Sequence, residues 1–262
     1  MDDKIMVTEL TPYLYLLDEE HHATGYLLIG EEKAAVIDTM NGMGDLGAVV
    51  KELTDKPVVV VNTHGHPDHI LGNVYFDKAY MHPDDNALAE EFLNSIPELQ
   101  KYMQENEISF PPFMPIHGGD VIDLGGRALE VVELPGHTKG SVVLLDRADR
   151  LLFTGDSVNH HLWMQLDHCL TMREAVAAMD KVLWLENEAD QILHGHAQGM
   201  NDISLLRSLR DGMQEIVDGK TEADGPYKWF GGEDKYHPFK CRADVKFPQE
   251  DHVVCYRPDH VG

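Results

Sequence analysis

The stretch VVVVNTHGHPDHILGN, residues 58–73, runs from four consecutive valines straight into three histidines and an aspartate. A continuous β-branched run predicts a strand buried on both faces, because a strand with one wet face alternates apolar and polar residues. Beyond it, His64 and His66 stand two residues apart. On extended backbone both rings leave the same side of the chain, so they can grip one ion together. Pro67 then forces a turn that carries Asp68 and His69 sideways, towards a second ion close to the first. One histidine in such a loop is most simply a surface residue. Three imidazoles and a carboxylate crowded behind a core strand point to metal binding.

Upstream, TPYLYLLD, GYLLIG and KAAVIDTM are rich in β-formers and separated by turns, and a helical stretch follows from about Asp45 to Leu53. Downstream, AYMH predicts a short strand. PDDNALAEEFLNSIPELQKYMQ predicts a helix started by Pro83 and its acidic neighbours, and SFPPFMPIHGGD a loop. DVIDL, RALEVVELP, SVVLLD and LLFTGD are strand-like, the last two joined by the turn RADR. TMRE at Thr171 has the form of a capping box, so a helix should run through Leu185; QILHGH is a short strand and NDISLLRSLRDGMQEIVDG a second capped helix. Strands in two blocks, each followed by helices, suit two sheets packed face to face with helices outside. At 262 residues, one domain over 1–262 is the default. Residues 221–262, aromatic and Pro-rich, are expected to form an appendage: a hairpin, a lid or a dimer contact, with Tyr227, Trp229 and Phe230 as candidate lid residues.

Further candidate ligands follow apolar strands. His137 lies in PGHTKGS, Asp156 in FTGDSV, and His194 and His196 in LHGHAQG. A carboxylate such as Asp156 can bridge two cations with its two oxygens. Strand ends of neighbouring segments converge on one rim of a sheet, which gives these scattered residues a common destination.

THGHPDHILGN, PGHTKGS, FTGDS and the final GH resemble, in order and spacing, the metallo-β-lactamase superfamily over roughly residues 8 to 215. Within it, TH…DHxxGN and GHTxGS are most similar to the glyoxalase II and lactonase branches. The resemblance implies an α/β fold arranged as a four-layer αββα sandwich. It also implies that His64, His66 and His137 hold one metal, that Asp68, His69 and His196 hold the other, and that Asp156 bridges. His196 is preferred to His194 because it follows Gly195, as the ligand does in the family's PGHG ending; His194 stands where that ending has Pro and is expected beside the ligands. IDTM resembles the family's IDTG with Met40 in place of Gly, which makes Asp38 an expected partner of a ligand.

Imidazole and carboxylate without thiolate suit zinc, although iron, manganese and cobalt accept the same donors. Two divalent ions, most simply Zn²⁺, are therefore the expected cofactors. A water ionised between them is the expected nucleophile towards the carbonyl of a small ester, thioester or lactone, with Asp68 orienting it or moving its proton. Phosphodiesterase or β-lactamase chemistry on the same site, and a non-catalytic metal-binding sensor, are the alternatives. His160, His161 and Trp163 follow Asp156 and are candidate pocket residues. A net charge of −25 opposes binding to a phosphate backbone, so a small molecule rather than nucleic acid is the expected partner, with a homodimer open. No segment predicts a membrane span and MDDKIMVTEL has no basic or apolar leader, so a cytoplasmic location is expected. Cys169, Cys241 and Cys255 are expected as free thiols, though Cys241 and Cys255 could meet across a hairpin.

Overall fold

The structure is a computed structural model that describes residues 4–105, 107–227, 239–243 and 253–262. Strands β1 (Ile5–Thr11), β2 (Leu14–Glu19), β3 (Ala23–Ile29), β4 (Ala34–Ile37), β5 (Val58–Val61), β6 (Ala79–Met81) and β7 (Phe113–Pro115) form one sheet in chain order. The second sheet contains β8 (Val121–Asp123), β9 (Ala128–Glu133), β10 (Val142–Asp146), β11 (Leu151–Gly155), β13 (Gln191–His194) and β14 (Asn201–Asp202), ordered β14-β13-β11-β10-β9-β8.

Period-two alternation explains how both sheets bury both faces. In the first, Ala35, Ile37 and Val61 face the second sheet, where they meet Val142, Leu144, Leu151 and Phe153. Val36 and Val60 face the other way, onto Leu46, Val49 and Val50 of helix α1 (Leu46–Leu53). In the second sheet Val143, Leu145 and Leu152 point outward, onto helices α5 (Met172–Val182) and α6 (Ser204–Val217). The layers are thus helix, sheet, sheet, helix: the αββα sandwich. Asp45 caps α1 by accepting from the Ala48 N–H, and Thr171 and Glu174 close a reciprocal capping box on α5.

Two local expectations are corrected, and the structure adds one strand, β1, where none was expected. The single helix after Pro83 is two, α3 (Asn86–Ser95) and α4 (Pro97–Glu105), because Pro97 supplies no N–H and pushes Ile96 out of helical backbone, to φ −107° and ψ 91°. SFPPFMPIHGGD contains β7, paired in parallel with β6. Residues 5–11 form β1, an edge strand on which only Ile5 is fully buried, so its hydrophobic signal is faint. Helix α2 (Pro67–Ile70) begins at the proline of HGHPDH, with His66 as its N-cap.

In the tail, β16 (Lys240–Ala243) and β17 (Val253–Tyr256) pair antiparallel, and β17 pairs in parallel with β12 (His161–Met164), the segment just beyond Asp156. With β15 (Gly225–Pro226) they make a third, four-stranded sheet. Val254 and Tyr256 pack with Leu162 and Met164 into the core beneath α5 and α6. Trp229 and Phe230 lie outside the described residues. Cys241 stands opposite Cys255 in the β16–β17 register, and all three cysteines are free thiols. Among the described residues no helix is long and apolar enough to cross a membrane.

Candidate metal centre

Four strand ends deliver the chemistry to one rim of the sandwich. β5 leads into His64 and His66, β11 into Asp156 and β13 into His196, while His137 sits between β9 and β10. The 62–69 loop is pinned by its own backbone. The His69 carbonyl accepts from the Asn62 amide at 2.7 Å, the Thr39 N–H at 2.9 Å and the Thr39 hydroxyl at 3.2 Å.

Two donor groups result. His64 Nε2 and His137 Nε2 approach His66 Nδ1 at 3.0 and 2.9 Å. In the second group, His69 Nε2 lies 3.7 Å from both Asp68 Oδ2 and Asp156 Oδ1, and His196 Nε2 lies 3.5 Å from Asp68 Oδ2 and 3.2 Å from Asp156 Oδ2. Within each group all donor atoms fall within 4.8 Å of one another. Asp156 Oδ2 is also 3.8 Å from His137 Nε2, so this carboxylate stands between the groups.

The far nitrogen of every ring has a partner. His64 Nδ1 meets the Thr63 hydroxyl at 3.1 Å, His66 Nε2 meets His168 Nε2 at 2.6 Å, and His137 Nδ1 meets the Trp163 carbonyl at 2.7 Å. His69 Nδ1 meets Asp38 Oδ2 at 2.8 Å and His196 Nδ1 the His22 carbonyl at 3.0 Å. A ring that donates from its far nitrogen keeps a lone pair on the near one, which is what a metal ligand requires.

Electrostatics separates the two groups. Burial, then the neighbouring imidazoles, holds His64 and His66 well below the usual histidine range, and burial lowers His137 as well. Burial would also lower His69 and His196. For them it is outweighed by Asp68, Asp38 and Asp156 at His69, which rises well above the usual range, and by Asp156 and Asp68 at His196, pushed up to about 9. Burial raises Asp156, but His196 and His69 overcome it and hold the carboxyl well below its usual range.

Do these residues fit metal ions? His69 Nε2 and Asp156 Oδ1 are buried, face one another and have no hydrogen-bond partner among the described residues. Such orphaned donors are costly unless something binds them. A Cβ on Gly195 would lie 2.4 Å from His69 Cε1 and 2.7 Å from Asp156 Oδ1, so only glycine lets the chain close over the group. The donor set fits two divalent cations. A third cluster, His82, His117 and Glu133, fits less well. His82 Nδ1 accepts the Asp84 N–H, which leaves the proton on the Nε2 that faces Glu133.

Asp38 lies behind His69, as an outer partner. His194 is not in either donor group; its carbonyl accepts from the Tyr26 hydroxyl at 2.6 Å, and its ring packs on His160. Both groups open into a cavity of about 1290 Å³ whose lining includes Asp68, Phe92, His160, His161, Trp163, His168 and His194. The Tyr227 hydroxyl, 2.9 Å from both His161 Nε2 and Trp163 Nε1, ties two of these together.

Sequence reasoning passes over two residues. His168 carries no motif and is recognisable only as one of sixteen histidines. Asp85, fully buried, accepts from the Gly65 N–H at 2.9 Å, the Thr138 hydroxyl at 2.7 Å and the Gly140 N–H at 2.7 Å. It thereby joins the His64 loop to the His137 loop.

Comparison with known proteins places this geometry. The chain is 28% identical over 181 residues to the acyl-coenzyme A thioesterase MBLAC2 of Homo sapiens, covering 55% of this chain and 63% of that protein. It is 27% identical over 149 residues to a hydroxyacylglutathione hydrolase of Francisella philomiragia, covering 57% of this chain and 48% of that one. The chain therefore spans less than two thirds of these relatives' lengths. Among solved structures, the DIM-1 metallo-beta-lactamase superposes with a TM-score of 0.62 at 17% identity, covering 82% of this chain and all of that one. A metallo-beta-lactamase from Pontibacter korlensis superposes with a TM-score of 0.57 at 20% identity, covering 80% and 99%. At these identities the superpositions speak for the fold alone. A sequence profile of the metallo-beta-lactamase superfamily matches residues 20–212, most of the chain, and the chain belongs to that superfamily.

Proposed function

We propose that this chain is a hydrolase that uses two divalent cations, zinc foremost, to cleave a small ester, thioester or lactone. The observation that carries the reading is the pair of donor groups meeting at Asp156 and opening on one large cavity. Cations held there would lower the pKa of a shared water towards neutrality and polarise a substrate carbonyl. The chain's own part is positional. His64, His66 and His137 fix one side, each with a lone pair inward, and His69 and His196 the other, where each would offer its Nε2 lone pair on losing a proton. Asp68, with a side chain 32% exposed, borders the cavity and can orient a water through one oxygen or take its proton. Imidazole and carboxylate donors without thiolate favour zinc. That two relatives bear the names of thioester hydrolases supports the bond type.

The test is elemental analysis of the purified protein, followed by a panel of chromogenic esters, lactones, acyl-coenzyme A thioesters, β-lactams and phosphodiesters, with and without chelator. Two ions per chain and chelator-sensitive turnover of an ester, thioester or lactone are expected. Turnover that survives complete metal removal, or none on any carbonyl substrate after reloading, overturns the proposal.

A further inference from the structure

The five imidazoles of the centre differ in what holds them from behind. His69 is backed by a carboxylate, Asp38. In the three-histidine group every backing group is uncharged: the Thr63 hydroxyl behind His64, the Trp163 carbonyl behind His137, and another imidazole, His168, behind His66.

The turn that carries His168 is itself built into the centre. Cys169, buried next to it, donates its thiol to the His137 carbonyl at 3.1 Å and approaches the Trp163 carbonyl at 3.5 Å. The Trp163 carbonyl is the same one that orients the His137 ring. The Cys169 N–H closes the turn on the Leu166 carbonyl at 3.1 Å, and His260 Nε2 holds the Cys169 carbonyl at 3.2 Å. One short segment thus reaches two of the three histidines, His66 through a ring and His137 through a thiol.

We infer that His168 is a positioning residue for the three-histidine group: its Nε2 accepts the Nε2–H of His66 and so keeps the lone pair of His66 Nδ1 turned towards the ion. This rests on the two-ion reading above. His66 presents Nδ1 inward, so the proton must sit on Nε2, and only an acceptor there fixes both tautomer and ring direction. Without it the ring can turn, or carry its proton on the wrong nitrogen. Because the acceptor is uncharged, it stabilises positive charge on the ring less than a carboxylate would. An ion held by His64, His66 and His137 would therefore retain more of its own charge than one held beside His69. The effect of His168 falls on one ion of the two.

The experiment compares the full-length wild type with His168→Leu, which fills similar space without an acceptor, and with His168→Gln, whose amide oxygen restores one. Zinc content is measured after equilibration in graded zinc buffers, and cobalt-loaded samples are compared by visible absorption. The Leu variant should bind one ion as the wild type does and the other about 10- to 100-fold more weakly, with an altered cobalt spectrum. The Gln variant should recover most of that loss. A wild type that holds a single ion overturns the two-ion reading. A Leu variant that keeps both ions at wild-type affinity, or loses both in parallel, overturns the role of His168.

Discussion

Asp38 sits at φ +56°, a left-handed conformation that residues with a Cβ seldom adopt and that costs of order 1 kcal/mol or more. Three hydrogen bonds to its carboxylate hold it there, from the Thr63 N–H and hydroxyl and from His69. The same carboxylate helps decide which histidines carry protons before metal arrives. His69 and His196 have raised pKa values, His196 to about 9, so near neutrality His196 is protonated in the metal-free protein and must release a proton to bind metal, whereas His64, His66 and His137 are held below the usual range and are neutral. The stability that His196 draws from Asp156 is complete below the ordinary histidine value near 6.5 and is lost as pH rises through about 9. Calorimetric zinc titration should therefore give heats that depend on the buffer's ionisation enthalpy, less so as pH approaches about 9. Heats identical in every buffer near neutrality contradict this. Gly195→Ala, which drives a methyl into His69 and Asp156, should lower ion content while His160→Ala leaves it unchanged. In the sequence, strand ends and short spacings mark His64, His66, Asp68, His69, His137 and Asp156, whereas Asp38 and the choice of His196 over His194 come from the resemblance of IDTM and HGH to the superfamily's segments. His168 was not legible, since its partner His66 is about a hundred residues away and no local pattern links them.

Elements were legible where one physical signal dominated. The valines of β5, the alternation in β9 and the capping box of α5 each specify their own structure locally. β1 and β7 were not, because an exposed edge strand and a Pro-rich strand owe their form to a neighbouring strand rather than to their own pattern. Asp85 belongs to this scale too, since it fastens the loop after β5 to the loop before β10. Asp85→Ala would leave the Gly65 and Gly140 N–H groups buried without an acceptor, which should cost about 3 kcal/mol. Denaturant unfolding of the metal-free variant measures it, and a loss under about 1 kcal/mol would show that the loops hold without this carboxylate.

The molecule as a whole joins two constructions: a sandwich whose rim gathers the ligands, and a third sheet that forms part of the cavity wall. Tyr227 connects the tail to that wall through His161 and Trp163. Tyr227→Phe should leave ion content at the wild-type level and raise KM about 3- to 10-fold, the effect of losing one or two hydrogen bonds. An unchanged KM would mean that His161 and Trp163 hold their places unaided. The parallel pairing of β12 with β17 also orders events on the ribosome. His196, the last residue of the donor groups to be synthesised, emerges well before residues 253–256, so on the proposed reading the donor groups are complete before the wall while β12 awaits its partner. A nascent chain stalled between those points would have every donor side chain in hand but an unfinished chamber around them.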